Sequence, residues 1–279
     1  MIPEAELKSV LNRYNISPKK YLGQNFLIDE VIADRMIRAC RFVKDDWAME
    51  IGAGLGILTR RLAREVKKVL AVEKDRNVCM ALNDVIKGYD NVDVVCDDFL
   101  TLDLDRTLLE APDKIKAIGN LPYYITTPII EKLIANRHDF ESIYITVQKE
   151  VAERICADPG GKDYGSLSVF VQFYTRARIL MQIGRDSFYP VPEVDSTFVE
   201  LVVLQKPSVN VSDTDKFFAV VKAGFGQRRK TLLNSLLSSE AVNIDKNALA
   251  ELLKKIEIDP NIRAEELSLE QFARIANAI

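Results

Sequence analysis

Short apolar segments alternate with segments of helical period between residues 47 and 204. The apolar segments have the length of buried strands, and they are Trp47–Ile51, Val69–Glu73, Val92–Cys96, Ile115–Gly119, Ser142–Val147, Arg178–Ile183 and Thr197–Leu204. The helix-period segments between them include Leu58–Val66, Arg76–Ile86 and Pro128–Asn136. Alternation of this kind is typical of β-α-β crossovers. The sequence therefore predicts an α/β fold, in which helices cover both faces of a mostly parallel, seven-stranded sheet.

The order of the elements also predicts how the chain is divided. A Pro-rich loop, Ser187–Ser196, joins the last two strands in place of a helix, which favours antiparallel pairing between them. After Leu204 only helical segments follow. We therefore predict an N-terminal arm over residues 1–28, an α/β domain over 29–206 and a small all-α domain over 207–279.

The composition is that of a globular protein. Hydrophobic residues make up 48% of the 279 residues and charged residues 28%, enough for a large core under a charged surface. No apolar run approaches the roughly 18 residues needed to span a bilayer. Glu4 and Glu6 near the N-terminus do not fit a signal peptide. We expect a cytoplasmic protein without membrane contact, and we take a monomer as the default.

Cysteine and histidine are used sparsely. The cysteines are Cys40, Cys79, Cys96 and Cys156. They are scattered, without a C-x-x-C pair, so we expect buried thiols in a reducing compartment and no disulfides. The single histidine, His138, has no cysteine or second histidine near it in the sequence. We therefore predict a surface or capping role for it and no metal site.

Basic residues form clusters in a chain whose net charge is −3. The clusters are Lys19-Lys20, then Arg60-Arg61 with Arg64, Lys67 and Lys68, and finally Arg228-Arg229-Lys230. Each one, taken alone, is more typical of a solvated helix face than of a binding site. The net charge argues mildly against a nucleic-acid partner, but phosphate binding needs only one basic face. Composition alone leaves the partner open.

A glycine-rich loop, Glu50–Gly56, follows the first predicted strand. Ligands of open α/β sheets bind beyond the carboxyl ends of the strands, and glycine lets the backbone approach them closely. The spacing is G-x-G-x-G after an acid. A dinucleotide fingerprint requires glycine where this chain has Ile57, and no Gly-Lys-Ser/Thr of a P-loop follows. The loop alone is equally compatible with an ordinary tight turn.

Acidic residues end the next two predicted strands. Glu73 can accept hydrogen bonds from both ribose hydroxyls of an adenosine. Asp97 and Asp98 end the third strand, where a carboxylate could accept from an adenine amino group; one of the two can equally be a turn residue. A glycine loop and two acids on successive strand ends together predict a nucleoside-binding rim.

The fourth predicted strand ends in Gly119-Asn120-Leu121-Pro122-Tyr123-Tyr124. Such a segment can be a simple turn. Its chemistry, however, suits methyl transfer to the exocyclic nitrogen of adenine, whose lone pair is conjugated into the ring. The Asn120 side-chain oxygen and a neighbouring main-chain carbonyl can accept both N–H bonds and stabilise the positive charge that develops. An adjacent aromatic ring can stack on the extruded base and fix its angle.

With these motifs in order, the sequence resembles the KsgA-type rRNA adenine N6,N6-dimethyltransferases over nearly its whole length. The segments that carry the resemblance are Leu22–Leu27, Glu50–Gly56, Glu73, Asp98, Gly119–Tyr123, Gln148–Ala152, Tyr164–Ser168, Phe188–Pro192, Val194–Ser196 and Phe225–Leu232. The resemblance implies a Rossmann-like class I methyltransferase domain with an α-helical, RNA-binding C-terminal domain. It also implies S-adenosylmethionine as the cofactor.

The resemblance further implies roles for individual residues. Asn25 and Leu27 would hold the methionine end of the cofactor, Gly52 and Gly54 its backbone contacts, Glu73 the ribose and Asp98 the adenine. Asn120, with Leu121 beside it, would form the transfer centre and also contact the cofactor. Tyr123 and Phe188 would sandwich the target base.

Members of this family dimethylate two adjacent adenines in a hairpin loop near the 3′ end of 16S rRNA, late in assembly of the small ribosomal subunit. Family members are often basic, whereas this chain is slightly acidic. RNA binding would therefore depend on local patches, and we expect Lys19, Lys20, Arg228, Arg229 and Lys230 to supply them.

Other functions remain open at this point. One is an antibiotic-resistance methylase of large-subunit rRNA, which the C-terminal helices and the Phe225–Leu232 segment disfavour. A second is a non-catalytic nucleic-acid-binding or assembly factor on the same scaffold, which the intact Asn120–Tyr123 motif disfavours. A third, an NAD-dependent dehydrogenase, conflicts with Ile57 and lacks a suitable acid–base residue.

Overall fold

The computed structural model describes residues 4–18, 24–227, 229–239, 242 and 244–279. Contacts divide the chain into two compact units. The first contains the residues up to Ala152 together with Arg178–Val203, and the second contains Glu153–Ala177 and Leu204–Ile279.

The strands of the described residues are β1 (Phe26–Leu27), β2 (Trp47–Ile51), β3 (Lys68–Glu73), β4 (Val92–Cys96), β5 (Ile115–Asn120), β6 (Phe140–Gln148), β7 (Thr175–Ile183), β8 (Phe188–Tyr189) and β9 (Ser196–Val203). Seven of them form one sheet in the order β4-β3-β2-β5-β6-β9-β7, and β1 pairs with β8 in a separate two-stranded sheet. Neighbours from β4 to β6 are parallel, and β9 is antiparallel to β6. The predicted α/β fold with a mostly parallel, seven-stranded sheet is confirmed.

The helices are α1 (Glu4–Arg13), α2 (Glu30–Cys40), α3 (Thr59–Glu65), α4 (Arg76–Val85), α5 (Leu104–Thr107), α6 (Thr126–Ala135), α7 (Lys149–Ile155), α8 (Ser166–Tyr174), α9 (Thr214–Phe225), α10 (Leu232–Leu237), α11 (Lys246–Lys255) and α12 (Leu269–Ala278). Aspartates begin two helices near the sheet. Asp29 accepts from the amides of Val31 and Ile32 at the start of α2, and Asp75 caps α4 in the same way. None of the described helices is long and apolar enough to span a membrane.

The central strands are buried along their length because helices cover both faces of the sheet. In β3, for example, Val69, Leu70, Ala71 and Val72 are all 5% exposed or less. The arm packs into this unit through a small apolar cluster, in which Leu7 and Leu11 of α1 meet Ile28. Because β2 to β5 are parallel, their carboxyl ends lie at one edge of the sheet.

The second unit contains more of the chain than the predicted C-terminal domain, which begins at residue 207. Glu153–Ala177, which the sequence places in the α/β domain, packs with the C-terminal helices instead. Aromatic contacts hold it there: Phe173 of α8 stacks on Phe217 of α9, with ring centroids 4.7 Å apart. Phe173 and Phe217 are fully buried, so α8 forms part of the core of this unit.

Two cysteines depart from the sequence prediction. Cys79 of α4 and Cys96 at the end of β4 are joined by a disulfide, whereas Cys40 and Cys156 are free thiols. The expectation of four unpaired thiols was wrong. Cys79 and Cys96 are 17 positions apart in the sequence, and no pattern indicates that their sulfur atoms meet in the fold. The helix α4 packs against β4 and brings the two side chains together.

Candidate cofactor and methyl-transfer site

A cleft opens at the carboxyl ends of β2, β3, β4 and β5, where open α/β sheets bind their ligands. It has a volume of about 990 Å³, counting the open solvent at its mouth. The predicted residues that line it are Asn25, Leu27, Gly52, Gly54, Glu73, Asp98 and Asn120. The structure therefore brings the whole predicted cofactor set to one cavity.

The glycine loop forms the floor of the cleft. Gly52 and Gly54 have φ angles of +73° and +55°, which L side chains rarely adopt. The amides of Gly52 and Ala53 both donate to the carbonyl of Val72, at 2.9 and 3.1 Å. A Cβ at Gly54 would lie 3.2 Å from the Phe26 ring, so the loop packs closely under the arm.

Glu50 is a buried acid inside this cleft. It is 2% exposed, and the hydroxyl of Thr59 donates to its Oε2 at 2.6 Å. Burial is the main cause that raises the pKa of Glu50 to about 8, and the negative charge of Glu73 adds to it. A carboxyl so placed is ionised most readily when a cationic group enters the cleft.

Glu73 holds the glycine loop from the end of β3. Its Oε2 accepts from the amide of Gly54 at 3.0 Å and its Oε1 from the amide of Asp75 at 2.9 Å. Burial raises the pKa of Glu73 above its usual value, although these amides act against the shift. Each oxygen keeps a second lone pair, so the carboxylate can still accept hydrogen bonds from a ribose.

Asp98 closes the opposite side of the cleft. Its Oδ1 accepts from the amide of Leu100 at 3.0 Å, and its Oδ2 pairs with Lys74 Nζ at 2.6 Å. Burial acts to raise the pKa of Asp98, but the bonds to Lys74 and Leu100 outweigh it, so the pKa lies below its ordinary value. Asp97 is exposed and accepts from the amide of Asp98, as a turn residue does. The sequence analysis missed Lys74, although it directly follows Glu73.

Lys132 supports this side of the cleft from α6. Its ammonium donates to the carbonyls of Leu100 and Leu102 and lies 5.3 Å from the ring centroid of Phe99. The loop that carries Asp98 is therefore fixed to the helix behind it.

Asn120 lies at the end of β5. Its Nδ2 donates to the main-chain carbonyl of Asn25 at 2.8 Å. This bond uses one N–H of the amide and orients it, so that the side-chain oxygen is turned away from Asn25 and can accept from a ligand. Leu121 follows, buried, with its amide bonded to the carbonyl of Thr146.

The aromatic residues around this point are covered to different degrees. Tyr123 is half-buried, and its hydroxyl bonds to Ser196 Oγ at 2.6 Å. Phe188 is 1% exposed and belongs to β8, where it pairs with Leu27 of β1. Tyr124, which the sequence analysis did not assign, is 49% exposed and lines the cleft beside Pro122. In this structure the Phe188 ring offers no open face.

The basic clusters differ in their surroundings. Arg61 pairs with Glu30 and Asp34, and Lys68 pairs with Asp93, so the cluster on and after α3 is partly neutralised. Arg229 and Lys230 are exposed. Lys19, Lys20 and Arg228 lie outside the described residues.

The fold brings Asp105 close to the adjacent residues His138 and Asp139. Ligand atoms of Asp105, His138 and Asp139 lie within 4.8 Å of one another. Exposed groups of this kind are common without a cation, and we assign no metal to them. The absence of a metal stays a prediction.

Bacterial proteins that share one name are similar to this chain along nearly its whole length. It is 45% identical over 282 residues to ribosomal RNA small subunit methyltransferase A of Pelotomaculum thermopropionicum, covering 98% of this chain and 95% of that protein. It is 44% identical over 276 residues to the protein of that name from Geobacillus thermodenitrificans, with 98% and 94% covered.

Solved structures share the fold. A dimethyladenosine transferase from Plasmodium falciparum superposes with a TM-score of 0.75 and 26% identity, covering 90% of this chain and 95% of that one. The 23S rRNA methyltransferase ErmE superposes with a TM-score of 0.72 and 24% identity, covering 91% and 99%. The model of the family described as ribosomal RNA adenine dimethylase matches residues 15–279. The chain therefore belongs to the ribosomal RNA adenine dimethylase family, whose enzymes take methyl groups from S-adenosylmethionine.

Proposed function

We propose that this enzyme dimethylates N6 of two adjacent adenines in a hairpin loop near the 3′ end of 16S rRNA, during late assembly of the small ribosomal subunit. Relatives that are 41–45% identical carry the name ribosomal RNA small subunit methyltransferase A, which supports the small-subunit target. The enzyme acts in the cytoplasm, as a monomer and without a metal. The observation that carries the proposal is the orientation of Asn120, whose amide nitrogen is engaged by the arm.

The residues of the cleft fit S-adenosylmethionine. The glycine backbone leaves room where a side chain would stand, and Glu73 and Asp98 offer carboxylate oxygens to the ribose and the adenine. Asn25, which contacts Asn120, and Leu27 both line the cleft, and they hold the methionine end. When bound, the cofactor supplies an electrophilic methyl group on its sulfonium sulfur.

Asn120 and Leu121 prepare the adenine nitrogen for attack. The Asn120 side-chain oxygen and the Leu121 carbonyl accept the two N–H bonds of the amino group, which favours a tetrahedral nitrogen with an available lone pair. These dipoles are already oriented before the reaction, so they stabilise the developing positive charge without reorganising. The methylated ammonium is acidic and loses its proton to water, so no strong general base is needed.

Tyr123 and Phe188 hold the target base between them. A base flipped out of an RNA loop is commonly read by stacking on aromatic rings. Phe188 is almost fully covered here, so its ring becomes available only when the residues over it move. Binding of the RNA loop therefore includes a local displacement next to the β1–β8 pair.

The C-terminal helical unit and the arm supply the RNA contacts. Arg229 and Lys230 are exposed, in the segment between α9 and α10. Together with Arg228, Lys19 and Lys20 they neutralise phosphates and release counterions, which makes binding sensitive to salt.

Methyl transfer to ribosomal subunits tests the proposal. Purified enzyme is incubated with radiolabelled S-adenosylmethionine and small subunits that lack the modification, and the RNA is digested for nucleoside analysis. We expect N6,N6-dimethyladenosine in 16S rRNA, and far slower labelling with the Asn120→Ala variant. Label in large-subunit RNA alone would indicate a resistance-type methylase, and binding of cofactor without transfer to either RNA would indicate an assembly factor.

A further inference from the structure

Ser196 contacts the proposed base-stacking tyrosine from β9, the strand on the other side of β6 from β5. Its Oγ lies 2.6 Å from the hydroxyl of Tyr123, across 73 positions of sequence. Ser196 is the first residue of β9 and is fully buried. The position of a buried serine hydroxyl at the end of a paired strand is well fixed, because the surrounding side chains are closely packed and the backbone is bonded into the sheet.

Neighbouring bonds hold Ser196 in place. It pairs with Gln148 in the antiparallel register of β6 and β9. The preceding residue, Asp195, accepts from the amide of Lys149 through its carbonyl, at 3.1 Å, and from the amide of Arg185 through its Oδ1, at 3.0 Å. The serine hydroxyl is thus carried by backbone that is bonded on both sides.

The backbone of Tyr123 is also anchored, but its ring is not fixed by the backbone alone. The amide of Ile125 and the hydroxyl of Thr126 both donate to the carbonyl of Pro122, each at 3.2 Å. These bonds fix the turn in which Tyr123 lies. Rotation about the Cα–Cβ bond of Tyr123 remains, and the contact with Ser196 restrains it because it holds the hydroxyl at the far end of the ring. Burial raises the pKa of the Tyr123 hydroxyl above its ordinary value, so the hydroxyl stays protonated and able to donate.

We propose that Ser196 is a positioning residue that fixes the direction in which the Tyr123 ring points, and through it the place of the ring beside the adenine that is presented for methyl transfer. The inference rests on the proposed stacking role of Tyr123. Its effect differs between the two transfers. Adenine offers two N–H bonds to Asn120 and Leu121, whereas N6-methyladenine offers only one. The second transfer therefore depends more on stacking, and loss of the Ser196 contact should slow it more than the first.

The test compares Tyr123→Phe, Ser196→Ala and the double variant on unmethylated small subunits. Tyr123→Phe keeps the ring and removes the hydroxyl, whereas Ser196→Ala removes the other half of the same bond. We expect each single variant to lower kcat about three- to tenfold, the range for one neutral hydrogen bond. The double variant should be no slower than either single variant, since all three lack the same interaction. The fraction of N6-methyladenosine among the products should rise in all three.

Controls separate this effect from loss of folding. Ser142→Ala removes another buried serine from β6, near the opposite end of the same strand pair. We expect it to keep the kcat and the product ratio of the original enzyme. Affinity for S-adenosylmethionine and thermal unfolding, measured on each variant, report on the integrity of the cofactor cleft.

Two results would overturn the inference. One is a Ser196→Ala enzyme with unchanged kcat and product ratio, and the other is a double variant whose loss equals the product of the two single losses. Tyr123→Ala tests the proposed function separately. If it keeps normal turnover, the stacking role of Tyr123 is wrong. If it loses turnover by about a hundredfold or more while Tyr123→Phe and Ser196→Ala stay normal, only the role of Ser196 is wrong.

Discussion

The side-chain amide of Asn120 donates to the main-chain carbonyl of Asn25, 2.8 Å away and 95 residues earlier in the chain. Asn25 precedes β1 in the N-terminal arm, whereas Asn120 ends β5 of the central sheet. The bond chooses between the two orientations of the amide, because an acceptor carbonyl can only face the nitrogen. The arm thus determines that the oxygen of Asn120 is the atom available to a substrate amino group.

Replacement of Asn120 by alanine should lower kcat about a hundred- to a thousandfold, the usual cost of one preoriented dipole at a developing charge. Affinity for S-adenosylmethionine should change little, because the remaining cofactor residues stay in place. Single-turnover methylation and calorimetric titration with the cofactor measure the two effects. Near-normal turnover of the Asn120→Ala enzyme would contradict the mechanism.

Replacement of Glu73 by alanine should have the opposite profile. The variant loses a charged acceptor for the ribose, so affinity for S-adenosylmethionine should fall about ten- to a hundredfold. Calorimetry with the cofactor and with an analogue that lacks the ribose 2′-hydroxyl measures this loss. The analogue should bind the original enzyme more weakly and lose less affinity than the cofactor in the variant. An equal loss for both ligands would show that Glu73 acts through the Gly54 loop alone.

Much of the cofactor cleft could be predicted because it depends on strand ends. Parallel strands bring their carboxyl ends to one edge whatever the details of packing, so Gly52, Glu73, Asp98 and Asn120 had to meet there. The arm was harder to place, since Asn25 follows no strand of the large sheet. Its position was predicted only through the resemblance.

Features that depend on side-chain packing were missed. The Lys74–Asp98 ion pair joins two neighbouring strand ends, and the Cys79–Cys96 disulfide joins α4 to the end of β4; no motif marks either one. The burial of Phe188 follows from the pairing of two-residue strands, which are too short to give a periodic signal. The placement of α8 with the C-terminal helices rests on aromatic contacts that sequence order conceals.

Glu50 should make the stability of the free protein depend on pH. Its pKa is about 8 in the folded chain and near 4.5 in the unfolded chain, so the folded state binds more protons between these values. Protonated Glu50 therefore contributes its full stabilisation of the folded state below pH 4.5, and this contribution is lost as pH rises through about 8. Glu50→Gln keeps the shape and an acceptor for Thr59 but does not titrate. Between pH 6 and 9 without cofactor, Tm should therefore fall further for the original protein than for the variant. If Tm fell equally with pH for both proteins, a group other than Glu50 would be responsible for the pH dependence.

Arg229 and Lys230 should bind RNA through phosphates rather than bases. Each replacement by alanine should weaken binding to small subunits about equally for different loop sequences. Each should also reduce the slope of log affinity against log salt by about one. Lys68→Ala is a matched control, because Lys68 is already paired with Asp93 at 2.6 Å and has less charge to offer a phosphate. Filter binding between about 50 and 200 mM salt measures the slopes. If the Arg229 and Lys230 variants have the slope of the original enzyme, phosphates are neutralised elsewhere on the chain, and the exposed segment between α9 and α10 is only a solvated surface.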